Sequence, residues 1–213
     1  MNYKEIQDKV LDRLDDNTNP TRERVKDYIN EAYNIVYYDR DWYWRLTQDA
    51  TFTTTSGTEE YTLATDVGKM IDVRDTTNDT YLAEAHYLDL VQDRPGIDST
   101  NDTGHPTKWY YSGDSSQTPK IKLYVIPNGS FAMEYDYYKK LTELSADSDT
   151  SDLPTRWQQI LIDYALYQEF LAQNDSRYSI YNTNFENTFE RMRNAEATLS
   201  NKQRVFRWVR ARN

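Results

Sequence analysis

The sequence offers few residues that could do chemistry, and their spacing suits it poorly. Its two histidines, His86 and His105, lie in unlike local contexts, with no spacing that pairs them as metal ligands. Each reads as a surface or turn histidine. Asp147, Asp149 and Asp152 form a D-x-D-x-x-D run that could hold calcium, yet the central glycine and terminal glutamate of an EF-hand loop are not in place. The run reads as a solvated linker. Glu59 and Glu60 are neighbours, so in a strand they point to opposite faces and cannot flank one glycosidic bond. The sequence has no glycine-rich phosphate loop, no G-x-S-x-G and no H-E-x-x-H. Without cysteine there is no disulfide framework, thiolate metal site or cysteine nucleophile. The expectation is no catalytic, cofactor-binding or metal-binding residue. Only carboxylates converging from distant parts of the chain would make a hydrolase.

Two aromatic clusters are the other candidates. Trp42-Tyr43-Trp44 and Trp109-Tyr110-Tyr111 could stack sugars or bases. A nucleic-acid platform also wants basic neighbours, and here Asp39, Asp41 and Asp49 stand nearby. Packing in a core or a subunit interface is the simpler role. Composition agrees. Aromatic residues reach 14% against only 6 glycines and 6 prolines, the reverse of a disordered chain. Their burial can supply a core that a 38% hydrophobic content would otherwise leave thin. The 213 residues suffice for one large domain or two small ones. No apolar run approaches the roughly 18 residues of a membrane span. The N-terminus lacks the basic-then-apolar order of a signal peptide. A soluble, unprocessed protein made in a reducing compartment is expected.

Charge is unevenly spread. The net charge of -10 comes from 25 basic and 35 acidic residues. Asn201 to Asn213 holds Lys202, Arg204, Arg207, Arg210 and Arg212 and no acid, which leaves 20 basic against 35 acidic residues in the body. Such a body repels DNA as a ligand. The basic tail is a candidate interaction arm. Val205, Phe206, Trp208 and Val209 are interleaved with its arginines, and a purely solvating tail needs no such residues.

Helices are expected at both ends of the chain and strands between them. Asn2 and Glu5 are spaced as a capping box ahead of Ile6, Val10, Leu11 and Leu14. Asn19 as N-cap and Pro20 at the first helical position start a second helix, with Val25, Ile29, Ala32 and Val36 on one face. From Thr47 the period becomes two. Thr51 to Thr55 turns at Ser56-Gly57 into Glu60 to Leu63, and Ile71 and Val73 alternate with Asp72 and Arg74. Thr77-Asn78-Asp79 reads as a turn, residues 85–92 as a short helix and 98–104 as a polar loop. Lys108 to Ser112 reads as a strand. Ile121, Leu123 and Val125 face Phe131, Met133, Tyr135 and Tyr137 in a predicted hairpin that turns at Asn128-Gly129. Pro154 opens a helix to about Gln173 that is apolar on most sides, hence buried. Tyr178, Tyr181, Phe185, Phe189, Met192, Ala195 and Leu199 recur in steps of three and four.

Because each amphipathic helix must bury its stripe, the two terminal pairs are natural partners. The fold class expected is α+β, with a four-helix domain from 1–46 and 153–200 and an inserted antiparallel β domain over 47–140. Residues 141–152 form a linker, and 201–213 an extended basic C-terminal arm.

The order of these pieces resembles the adaptor, or head-to-tail connector, proteins of short-tailed bacteriophages. The stretch from Arg24 to Tyr33 followed by Arg40-Asp41-Trp42-Tyr43-Trp44 looks like the family's second helix, and Thr53 to Leu63 like its first hairpin. Val73 to Thr77 and Gly104 to Tyr110 are similar to its later strands. Ile121 to Pro127, Leu144 to Asp149 and Asp152-Leu153-Pro154 continue the likeness, which runs from about Tyr3 to about Asp175. The resemblance implies a structural virion protein, not an enzyme, in a ring of typically twelve copies below the portal. That ring would extend the DNA channel, let the genome pass without sequence-specific binding, and offer a platform for tail nozzle or tail fibre proteins. It places the protein in the virion neck, made in the host cytoplasm, with no membrane partner. Family members often dock on the portal through a C-terminal segment, which would assign portal binding to Arg204, Val205, Phe206, Arg207, Trp208, Val209 and Arg210. A carbohydrate-binding module of a phage tail, using the Trp and Tyr clusters, is the first rival reading. A carboxylate-based hydrolase is the second.

Overall fold

The computed structural model describes residues 1–16, 18–88, 102–113 and 118–210, with side chains as far as 196. The helix expected over 85–92 and the loop over 98–104 fall largely outside these residues. The described chain is mixed α+β and divides into two units, one of Met1–Arg45 with Leu141 onward, the other of Leu46–Lys140.

The first unit holds helices α1 (Tyr3–Leu14), α2 (Asn19–Tyr38), α3 (Gln159–Ala172) and α4 (Tyr178–Arg210). The capping box of α1 is formed: the Glu5 amide donates to Asn2 Oδ1 at 2.8 Å, and the Asn2 amide to Glu5 Oε2 at 3.0 Å. Such a cap is worth about 1 kcal/mol. In α2 the N-cap is Thr18, one residue before the expected Asn19, and Pro20 still falls in the first turn, where no N–H is missed. The stripes Ile6, Val10, Leu11 and Val25, Ile29, Ala32, Val36 are all buried. α3 buries Ile160, Leu161, Ile162, Tyr164, Ala165, Leu166 and Phe170, leaves little face for solvent, and packs against α1, α2 and α4. Each isoleucine, leucine or phenylalanine so buried contributes roughly 1.5–3 kcal/mol relative to exposure. α4 adds Phe185, Phe189 and Met192 to the same core.

Two expectations change here. The backbone beyond Ser200 is not extended; α4 continues to Arg210. No glycine or proline occurs between Tyr178 and Asn213, so no residue stops the helix at the expected place. Residues 141–152 are a pinned loop of this unit rather than a free linker. The Asn30 carboxamide donates to the Leu144 carbonyl and accepts from the Leu144 amide, each at 3.0 Å. Tyr33 Oη accepts from the Asp152 amide at 2.8 Å. The Asp149 carboxylate accepts from the amides of Ser145 and Ala146 at 2.8 Å, and its carbonyl accepts from the Tyr3 amide at 2.7 Å.

The second unit is built of short strands: β1 (Leu46–Thr53), β2 (Glu60–Thr62), β3 (Val67–Asp75), β4 (Thr80–Glu84), β5 (Thr103–Gly104), β6 (Lys108–Tyr111), β7 (Lys120–Tyr124), β8 (Ile126–Pro127) and β9 (Ala132–Lys139). Seven form one sheet in the order β1-β9-β3-β4-β6-β7-β2, and β5 pairs with β8 apart from it. The sheet curls and brings its two end strands, β1 and β2, together. The Phe52 and Tyr61 rings meet across that seam at 5.1 Å. Tyr61 Oη accepts from the Thr55 amide at 3.0 Å and donates to the Thr58 carbonyl at 2.7 Å.

The unit is not purely antiparallel: β4–β6 and β5–β8 are parallel pairs. The predicted hairpins at Ser56-Gly57 and Asn128-Gly129 are absent as ladders. β1 pairs with β9 and β2 with β7, while β7 pairs with β6 and β2 and never with β9. Ile121 and Leu123 do meet Met133, Tyr135 and Tyr137, but as side chains in one core. The alternation identified Ile121, Leu123, Met133, Tyr135 and Tyr137 as buried, but Val125 and Phe131 are only half-buried and Ile126 is buried instead, and it could not say whether the faces join edge to edge or across the interior. Gly68 sits where β3 crosses the end of β9, and a Cβ there would lie 2.8 Å from the Lys140 amide nitrogen.

Candidate functional site

Several of the described residues able to do chemistry make structural ties. In the β unit, His105 Nε2 lies 2.5 Å from Oδ2 of buried Asp75. The same carboxylate takes the amides of Thr77 and Asn78 at 2.7 and 3.1 Å and the Asn78 side chain at 3.0 Å. Burial pushes the Asp75 carboxyl up, but these donors outweigh it and hold it below the ordinary carboxylate range. With its lone pairs so occupied, Asp75 closes the β3–β4 turn and ties residue 105 to it. His86 is exposed. Glu59 and Glu60 pair separately with Lys122 at 2.7 Å and Lys120 at 3.1 Å. No group of three His, Cys, Asp or Glu among the described residues is placed to hold a metal.

The aromatic clusters are internal at their leading tryptophans, while Tyr43 and Tyr111 are exposed. Trp42 and Trp109 are each 1% exposed, so neither presents a ring face to a sugar. Trp42 Nε1 donates to the Val36 carbonyl at 2.5 Å, and the Arg45 guanidinium donates to the carbonyls of Tyr37 at 2.8 Å and Arg40 at 3.2 Å. Together they satisfy carbonyls at the C-terminal end of α2, where a cation also complements the helix dipole. Arg45 lies 4.3 Å from the Tyr37 ring centroid and 5.3 Å from that of Tyr38. Burial pushes the Tyr37 hydroxyl up to about 12, with the charge of Asp152 adding to it. Apolar surface does remain open in this unit: Ile35, Tyr38 and Tyr43 at the end of α2, and Leu171, Tyr178 and Ile180 where α3 passes into α4. In the β unit Tyr81 and Tyr111 are exposed.

Two ion pairs that the sequence analysis did not find set the helical unit. Fully buried Glu169 of α3 is gripped by Arg24 of α2, Nη2 to Oε1 at 2.5 Å and Nε to Oε2 at 3.1 Å. Glu196 of α4, 3% exposed, accepts from Arg156 at 2.5 Å and from Trp157 Nε1 at 2.9 Å. Both glutamates occupy slots of apolar periodicity (Phe189, Met192, Glu196 and Tyr164, Ala165, Glu169), and a charge in such a slot was the available signal. Asp39 at the end of α2 binds Arg193 of α4 at 2.7 Å.

These contacts anchor α4 as far as Glu196. Glu196 is also the last acidic residue of the sequence, and five basic residues follow. Arg204, Val205, Phe206, Arg207, Trp208, Val209 and Arg210 lie on the helical backbone of α4, and their side chains lie outside the described residues.

The described scaffold is a helical unit built from both ends of the chain with a β unit inserted between them. The family model described as SU10 adaptor protein matches residues 1–207, and the chain belongs to that family. It is a structural adaptor of a bacteriophage virion, in a family not known for enzymes. No curated protein matches the chain. No described helix is long and apolar enough to cross a membrane.

Proposed function

We propose that the protein forms a ring below the phage portal, of twelve copies, which joins head to tail in the virion neck. The ring extends the DNA channel and offers a platform for the tail nozzle or tail fibre proteins. The observation that carries this reading is the family match over residues 1–207. Charge supports it. The β unit has 8 basic and 15 acidic residues, so a lumen lined by it would repel phosphate and let the genome slide. Exposed Ile35, Tyr38, Leu171 and Ile180 give the helical unit apolar surface for head-to-tail contacts closed by rotation.

In this reading the portal is held by residues 204–210. Arg204, Arg207 and Arg210 meet acidic groups of the portal, and Phe206, Trp208 and Val209 are the apolar anchors. One arm binds weakly, and the ring multiplies it. Mixing the chain with the portal of the same phage and imaging the product by electron microscopy tests the reading. A ring of added density on one face of the portal supports it. Bare portals in the presence of excess folded chain would overturn it.

A further inference from the structure

Asn128-Gly129 is the only Asn-Gly step in the sequence, and the hairpin turn predicted for it does not form. It lies instead in a bend between β8 and β9. The backbone is held on both sides: the Asn128 amide donates to the Gly104 carbonyl at 3.1 Å, and Thr54 Oγ1 donates to the Gly129 carbonyl at 2.9 Å. The two groups between these anchors engage none of the described residues. Asn128 is exposed, and its carboxamide bonds to none of the described residues. The Gly129 amide donates to none of them either.

We propose that Asn128 is a spontaneous deamidation site of the folded protein. Water or hydroxide takes the Gly129 amide proton, and that nitrogen attacks Cγ of Asn128. The Cγ–Nδ2 bond breaks and ammonia leaves with a proton, giving a succinimide. Water then opens the ring at Cγ to leave aspartate, or at the main-chain carbonyl carbon to leave isoaspartate. The net change consumes one water and releases one ammonia. Glycine at 129 puts no side chain beside the attacking nitrogen. A hydrogen bond on that N–H would have to break first and would slow the attack roughly fivefold.

The site sits on the seam of the curled sheet. The Gly57 amide donates to the Pro127 carbonyl at 2.8 Å, and the Thr54 amide to the Phe131 carbonyl at 2.9 Å. Isoaspartate adds a methylene to the main chain between the Gly104 and Thr54 anchors, so both cannot keep their lengths. Either product adds a negative charge to an acidic unit.

Peptide mapping by mass spectrometry tests this on the intact full-length chain, aged at neutral and mildly alkaline pH, beside the same chain unfolded in urea. The expected result is conversion of Asn128 in the folded chain within about fivefold of the unfolded rate, the spread one hydrogen bond would cause. It should be faster at higher pH and yield both aspartate and isoaspartate. A folded rate slower than that, or aspartate without isoaspartate, overturns the proposal.

Discussion

Replacing Arg24 by alanine removes the counter-charge of a carboxylate that has no exposure of its own. Glu169 is 0% exposed and would keep only the Gln173 side-chain amide, at 3.1 Å, among its three side-chain donors. Breaking a buried pair from one side costs about 3–5 kcal/mol. Arg24 is 46% exposed, so water screens the pair and can reach part of the vacated space. That lowers the expected loss to about 2–3 kcal/mol. With a urea dependence of about 1–3 kcal/mol per molar, the unfolding midpoint should fall by about 1 M. Urea unfolding read by tryptophan fluorescence follows it, since Trp42, Trp44 and Trp157 all pack in or against the same core. Adding Glu169→Gln should restore much of the loss, because a neutral amide needs no counter-charge, with a coupling of about 2 kcal/mol. An Arg24→Ala midpoint indistinguishable from the parent, or a double variant no better than the single one, would refute the reasoning.

Other expectations follow from the same geometry. Gly68→Ala should destabilise the β unit by roughly 1–3 kcal/mol, because its Cβ meets backbone that cannot rotate away. Gly104→Ala, whose Cβ meets nothing nearer than 3.9 Å, is the control, and equal melting temperatures for the two would contradict the crowding. Asp75→Asn should cost about 1–3 kcal/mol at neutral pH, since an amide nitrogen would face donors. The Asp75 carboxyl is held below its ordinary value when folded, so its contribution is complete above the unfolded pKa of about 3.9 and is lost as pH falls through the folded one. A stability difference between Asp75→Asn and the parent that stays constant into strong acid would count against this. Replacing Phe206 and Trp208 by alanine should weaken portal binding more than Arg212→Ala. Equal affinities in a pull-down titration would argue against apolar anchoring.

Much of the helical unit was legible because its signals are local. The Asn2–Glu5 box, the stripes of α1 and α2, and the Phe185, Phe189 and Met192 part of the α4 stripe each lie within a few turns of one helix, whereas Tyr178 and Ala195 of that stripe are exposed. The central place of α3 followed from its lack of a polar face. Strand pairing was not legible. Alternation marks which side chains are buried, but β7 and β9 share a core without sharing a ladder, and residues far apart in the chain decide between those arrangements. Asn128-Gly129 carries turn chemistry, yet neither residue adopts positive φ, and Ile126–Pro127 is drawn off to pair with β5. The knot of Trp42 and Arg45 was read as an aromatic cluster. Its task is to satisfy α2 carbonyls six to eight residues upstream, a contact with no sequence signature. The basic tail is the reverse case: its charge pattern is plain in the sequence, and the role proposed for it depends on a partner that the chain does not contain.

The central claim is that this adaptor holds the portal through its C-terminal segment. Co-sedimentation with the portal of the same phage, comparing the full chain with one ending at Ser200, tests it most directly. Saturable binding by the full chain and none by the truncated one is the predicted result. Binding retained by the chain ending at Ser200, or absence of binding by either chain to an intact portal, would contradict the account.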